Sequence, residues 1–209
     1  MNQVLKLGGP AVALMLSASA AHAIVSWTNP AGVALSFSWS NGYQNSGYFG
    51  DPIIVGNTFI FTPANFSAIR GVNNTRTDTL QVDLAAIGGP ITGIIIREFG
   101  YKNNGTGTTV QSTMFIKDLD VPAFPMIQDP MSFSDTDDPQ TTVIEWSGIV
   151  ARNGISMNNI QLSLTNNLTT FLTGREIHKT RVEIEIVPAP ASFALVAAGG
   201  LVAIRRRRR

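Results

Sequence analysis

The chain has 209 residues, 44% hydrophobic and 14% charged, a globular composition that argues against disorder throughout. Six of its 15 basic residues, Lys6 and Arg205 to Arg209, lie near the two ends, and the nine that remain face 14 acidic ones. The middle is therefore acidic and lacks the basic face that nucleic acid requires, while the absence of cysteine excludes a disulfide framework, a thiolate metal site and a cysteine nucleophile.

At the front, Lys6 precedes an apolar stretch from Leu7 to Leu16, and small residues lead to Ala21-His22-Ala23. That order predicts a secretory signal peptide over 1–23 with an Ala-x-Ala cleavage site, and Gly8-Gly9-Pro10 speaks against a buried first helix. The mature chain is expected to begin at Ile24, which leaves His178 as its one histidine.

Residues 24–186 read as one domain, and period-2 alternation recurs along it. Val33, Leu35, Phe37 and Trp39 alternate with Ala34, Ser36 and Ser38; Leu80, Val82 and Leu84 with Gln81 and Asp83. Ile144 and Trp146, then Ile160, Leu162 and Leu164, then Val182, Ile184 and Ile186 repeat the pattern. Asn41-Gly42, Asn104-Gly105 and Asn153-Gly154 supply the positive φ that tight hairpins need. The expectation is an all-β, antiparallel β-sandwich of jelly-roll type with roughly nine or ten strands. Only Pro63 to Arg70 offers a helical candidate, Asp129 to Thr142 is expected to be the longest polar loop, and Arg181 to Val187 the last strand.

A search for chemistry along this domain yields little. No G-x-S-x-G elbow is present, and His178 falls where a polar turn before the last strand is expected, as a solvated or capping side chain. Glu183 and Glu185 would stand about 7 Å apart on one strand face, a spacing that carboxylate pairs of glycosidases share but that the wet side of a strand also produces. Asp135, Asp137 and Asp138 cluster hard oxygens suited to Ca²⁺, without the glycine and distal glutamate of an EF-hand loop. No cofactor is expected. Tyr43, Tyr48 and Phe49, set among Asn41, Gln44 and Asn45, bring flat rings and amides together, the materials of a sugar-stacking platform. Alternation assigns Trp39 to the core instead.

From Val187 the sequence reads Val187-Pro188-Ala189-Pro190-Ala191-Ser192, followed by an uncharged apolar run from Phe193 to Ile204 and then Arg205, Arg206, Arg207, Arg208 and Arg209. Proline fixes φ and lacks an N–H, so Pro188 and Pro190 are expected to end the last strand and present an extended, accessible peptide. A helix over 191–204 would reach about 21 Å, short of the roughly 30 Å hydrocarbon core. The arginines would compensate by snorkelling and by holding that end in the cytoplasm. A span this short suits temporary retention at the inner membrane better than permanent anchorage.

These residues resemble the PEP-CTERM family of bacterial sorting signals, with Ala189 in place of the family's glutamate, as in a planctomycete-type Val-Pro-Ala-Pro subgroup. The resemblance is confined to 187–209. It implies an exosortase-type processing enzyme acting near Val187 to Pro190, stop-transfer by Arg205 to Arg209, and delivery of the domain to the cell surface or an exopolysaccharide matrix. It carries no information about the domain itself. For that, the sequence supports a non-catalytic structural or interaction module, with a carbohydrate-binding module for exopolysaccharide as the alternative and a polysaccharide-acting enzyme as a more distant one.

Overall fold

The computed structural model describes residues 24–103, 107–135 and 143–190. The signal segment 1–23, the tail segment 191–209 with its expected helix and arginines, Asn104-Gly105, Asp137 and Asp138 lie outside the described residues. Among those described there are thirteen strands: β1 (Val25–Ser26), β2 (Ala31–Ala34), β3 (Phe37–Gln44), β4 (Ile53–Gly56), β5 (Thr58–Phe61), β6 (Ser67–Ile69), β7 (Thr75–Ala86), β8 (Ile91–Asn103), β9 (Thr108–Asp118), β10 (Ile127–Asp135), β11 (Ile144–Met157), β12 (Asn159–Thr170) and β13 (Glu176–Pro188). No described helix is long and apolar enough to cross a membrane.

The strands form two sheets. One has six strands in the order β1-β3-β7-β12-β9-β10; the other has seven, β11-β8-β13-β5-β4-β2, with β6 also paired to β13. Pairing is antiparallel except between β2 and β4, which run parallel. The runs Leu80–Leu84, Ile160–Leu164 and Val182–Ile186 deliver their apolar side chains to the interior, where they meet Val110, Met114, Ile116, Ile94, Ile96, Phe59 and Phe61. Each fully buried side chain of this size contributes about 1.5–3 kcal/mol.

The structure corrects several expectations. The run Val33 to Trp39 is two strands: the chain bends at Leu35-Ser36, leaving Val33 and Leu35 exposed on one sheet while Phe37 enters the core from the other. Asn41-Gly42 is a bulge inside β3, where the register slips between Ser40 and Tyr43 and Asn41 takes φ 52°. Gly42 is required there because a Cβ would overlap the indole of Trp27. Asn153-Gly154 likewise sits at an irregularity within β11, and the strands flanking Asn104-Gly105 belong to different sheets. Pro63 to Arg70 contains β6 and no helix. Asp129 to Asp135 is no loop but part of edge strand β10, an edge being where a ladder tolerates Pro130.

The sandwich has two poles. At one, which we call the exit pole, Ile87 N–H donates to Ser36 O (2.8 Å), Ala86 to Asn158 O (2.8 Å), Leu119 to Asn159 O (2.9 Å) and Ala189 to Pro90 O (2.8 Å). At the far pole Thr170 N–H donates to Asn74 O (2.8 Å), Phe171 to Gly107 O (2.8 Å) and Arg70 to Arg175 O (3.0 Å). Strand β13 runs from the far pole to the exit pole and continues through Pro188, one residue beyond the expected break. Val187, Pro188 and Ala189 are half-buried against the start of β8, with Thr92 Oγ1 donating to the carbonyls of Val187 and Pro188 (3.2 Å each), and the freely exposed part of the proline motif is Pro190.

Candidate functional site

The three aromatic residues Tyr43, Tyr48 and Phe49 do not form one exposed platform. Phe49 is 0% exposed and packs edge-on against Phe66 and Phe61, so it belongs to the core. Tyr48 is half-buried on Phe66, its hydroxyl bonded to Arg76, whose guanidinium also lies 4.9 Å above its ring. Tyr43 is also half-buried, on the outer face of β3 opposite Gln81. Glu183 and Glu185 do share the outer face of β13, but each is spent in an ion pair, with Arg181 (2.5 Å) and Arg97 (2.8 Å) respectively. His178 lies within β13, not in a turn, stacked on Tyr101 at 4.4 Å and placed 3.3 Å from Glu176. The Asn103 amide hydrogen bond, with the His178 contact adding to it against the effect of burial, holds the Glu176 carboxyl below its ordinary pKa of 4.5. Among the described residues no cluster of His, Asp and Glu could hold a metal, and Asp137 and Asp138 of the Ca²⁺ candidate fall outside them.

A different surface does assemble: the outer face of the six-stranded sheet. Alternation sends Thr75, Thr77, Thr79, Gln81 and Asp83 of β7 outward, beside Thr169, Asn167, Thr165, Ser163 and Gln161 of β12 and Thr109, Gln111, Thr113, Phe115 and Lys117 of β9. Of these positions only Asp83 and Lys117 are charged. The polar groups bond laterally across the strands: Thr79 to Thr165 (2.9 Å), Ser163 to Gln81 (3.3 Å), Gln161 to Asp83 (3.1 Å) and Asn41 to Asp83 (2.7 Å). Such bonds fix side-chain rotamers in advance and lower the entropy a ligand must overcome.

Aromatic rings punctuate this face. Register places Tyr43, Gln81, Ser163 and Phe115 in one row across β3, β7, β12 and β9, and three strand spacings put the two rings about 14 Å apart. Toward the exit pole the same face holds a hollow of about 390 Å³ whose lining includes Ser38, Ser40, Asp83, Asp120 and Asn159. Trp39 lies on the inner side of β3, opposite Leu84, and packs on Trp27 at 5.6 Å as part of the core's margin. Phe115 escaped the sequence reading because β9 also sends Ser112 inward, which interrupts the apolar half of the alternation.

The opposite sheet face is of another kind, carrying the Arg97–Glu185 and Arg181–Glu183 pairs and a hollow of about 500 Å³ beside Tyr101 and Glu145. Inside the sandwich lies a third polar group. Lys179 and Glu98, 2% and 0% exposed, pair at 2.5 Å; the Ser112 hydroxyl lies 2.7 Å from Glu98 and 2.8 Å from Asn166, which also accepts from Lys179. No solvent reaches this cluster, so its role is in the fold.

The molecule is an all-β, two-sheet sandwich with one nearly uncharged, hydrogen-bonding sheet face. No protein-family model matches the chain, and no curated protein matches it. It is similar in structure to a carbohydrate-binding module specific for non-crystalline cellulose, CBM28 (10% identity, TM-score 0.35, 77% of this chain and 97% of that one). It is also similar to TmCBM61 solved in complex with β-1,4-galactotriose (8% identity, TM-score 0.30, 72% and 88%) and to a family 29 carbohydrate-binding module (13% identity, TM-score 0.26, 79% and 89%).

Proposed function

We propose that the sandwich is a carbohydrate-binding module that takes a neutral polysaccharide chain on the outer face of its six-stranded sheet. The observation that supports this most is the composition of that face: hydroxyls and amides in ordered rows, two rings in one row, and a polar hollow at one end. Sugars offer apolar C–H faces ringed by hydroxyls, which match rings and uncharged donors and acceptors, whereas an acidic polymer would find one lysine to pair with and an acidic domain around it. In binding assays on the mature chain, neutral polysaccharides should be retained and polyuronates should not. Tyr43→Ala and Phe115→Ala should each weaken binding about tenfold, roughly 1.4 kcal/mol, with circular dichroism unchanged. Affinity for neutral glycans that is absent, or that ignores both substitutions, would rule the reading out.

Export and sorting complete the proposal. The signal-type front segment and the proline-apolar-arginine tail support an exported protein held transiently at the inner membrane, processed near Val187 to Pro190 by an exosortase-type enzyme, and delivered to the surface or the exopolysaccharide matrix. Protein recovered from the cell surface should then lack Arg205 to Arg209 in mass spectra. A surface form still ending in Arg209 would mean a plain anchor.

A further inference from the structure

The exit pole joins two properties that soluble surfaces rarely combine. Leu35, Ile87, Val121, Phe124 and Met126 stand 45–75% exposed there. The segments that build the pole, residues 35–36, 56–57, 87–90, 119–126 and 157–159, contain a single charge, Asp120. Asp120 is exposed, its carboxylate accepting from the Asn159 backbone (3.2 Å) and amide (2.7 Å), and neighbouring Asp118 accepts from the backbone of Asp120 (2.8 Å) and Val121 (3.1 Å). The far pole also exposes Val72, Phe171 and Leu172, but beside Arg70, Arg76 and Arg175. The exit-pole patch is bordered by Asp118 and Arg152 beside Phe124 but carries no arginine among its own loops, unlike the far pole; a separate exposed apolar group, Val33, Ile53 and Val55, lies on β2 and β4.

The chain leaves the sandwich at the exit pole. Ala189 is hydrogen-bonded to Pro90, so the backbone is fixed to this pole to within one residue of Pro190. The apolar run Phe193 to Ile204 begins three residues later, a reach of at most about 11 Å even fully extended. If that run occupies hydrocarbon, the pole is held at or just outside the headgroup layer, where partly exposed Leu, Ile, Phe and Met side chains gain by entering the interface.

We propose that the exit pole is a lipid-facing surface: while the tail is attached, Leu35, Ile87, Val121, Phe124 and Met126 sit in the bilayer interface. The strands then stand upright on the membrane, and the six-stranded face points sideways, open to polymer chains. The inference rests on the retention reading of the tail but not on carbohydrate binding. Because the chain has no cysteine, single labels report cleanly. Phe124→Cys, Ile87→Cys and, at the far pole, Val72→Cys can each carry an environment-sensitive dye on the full chain reconstituted into phosphatidylcholine vesicles containing a spin-labelled lipid. Quenching at positions 124 and 87 should exceed that at 72 by about twofold or more, with blue-shifted emission. Chain that floats with the vesicles while all three labels remain equally aqueous overturns the lipid-facing surface and leaves the retention reading standing. Chain that stays in the aqueous fraction overturns both.

Discussion

Replacing Lys179 by Met should lower the unfolding free energy by about 3–5 kcal/mol, because it strands the Glu98 carboxylate in an interior that water does not reach. In the native sandwich this carboxylate is met by the Lys179 ammonium at 2.5 Å and the Ser112 hydroxyl at 2.7 Å. Phe66 and Trp146 lie 5.7 and 5.6 Å from the ammonium and add a smaller attraction through their rings. Removing both charges, with Glu98→Leu added to Lys179→Met, should recover most of the loss, since the Ser112 hydroxyl can then donate undivided to Asn166 at 2.8 Å. Buried pairs are often no better than apolar residues of similar size, whereas half a pair is far worse. Urea unfolding of the two single variants and the double one measures this coupling. A Lys179→Met chain within about 1 kcal/mol of wild type would show that the pair is not needed.

The pH dependence carries a matching sign. Burial pushes the Lys179 ammonium below its ordinary pKa of 10.5, and the Glu98 charge and hydrogen bond pull part of the way back. With the folded pKa lower than the unfolded one, the unfolded chain binds more protons in the window below 10.5, so this group makes stability rise with pH there. The rise should vanish in the Glu98→Leu, Lys179→Met chain.

That cluster also shows where sequence reading stopped. The class of fold was legible because Leu80–Leu84, Ile160–Leu164 and Val182–Ile186 alternate without interruption and their polar partners face water. Strand β8 was not, because its interior positions include Glu98 and Lys102 while Ile95 faces outward, which inverts the pattern alternation depends on. Glu98 can lie inside only because Lys179, 81 residues away, is brought to it by the pairing of β13 with β8. No local signal announces such a partner. The candidate binding face has the same character. Tyr43 was visible as an aromatic among amides, but the face is the sum of β7, β9 and β12, and Phe115 joins Tyr43 through two intervening strands. Asn-Gly pairs misled for a related reason: positive φ is needed equally by a hairpin turn and by a bulge within a long strand, and the dipeptide does not distinguish them.

Gly100→Ala should be nearly as damaging as Lys179→Met, at about 3 kcal/mol or more, although it adds only a methyl group. Gly100 lies in β8 between β11 and β13, in one inward row with Trp146 and Lys179. A Cβ there would overlap both the carbonyl oxygen of His178 and the indole of Trp146. The first of these is backbone and cannot turn aside, so β8 and β13 would have to separate where the bulge at Thr180 already interrupts their register. That separation would also loosen the grip on Lys179, the next residue along β13. Gly148→Ala in β11 is the matched control: its Cβ would meet only the flexible thioether end of Met131, which can swing away. Since alanine also restricts the unfolded chain, Gly148→Ala should fall within about 1 kcal/mol of wild type. Adding Trp146→Ala to Gly100→Ala removes the indole but not the His178 carbonyl, so it should rescue little. Urea midpoints of Gly100→Ala and Gly148→Ala that coincide would refute this account, because they would mean that the close approach of β8 to β13 yields as readily as a methionine side chain.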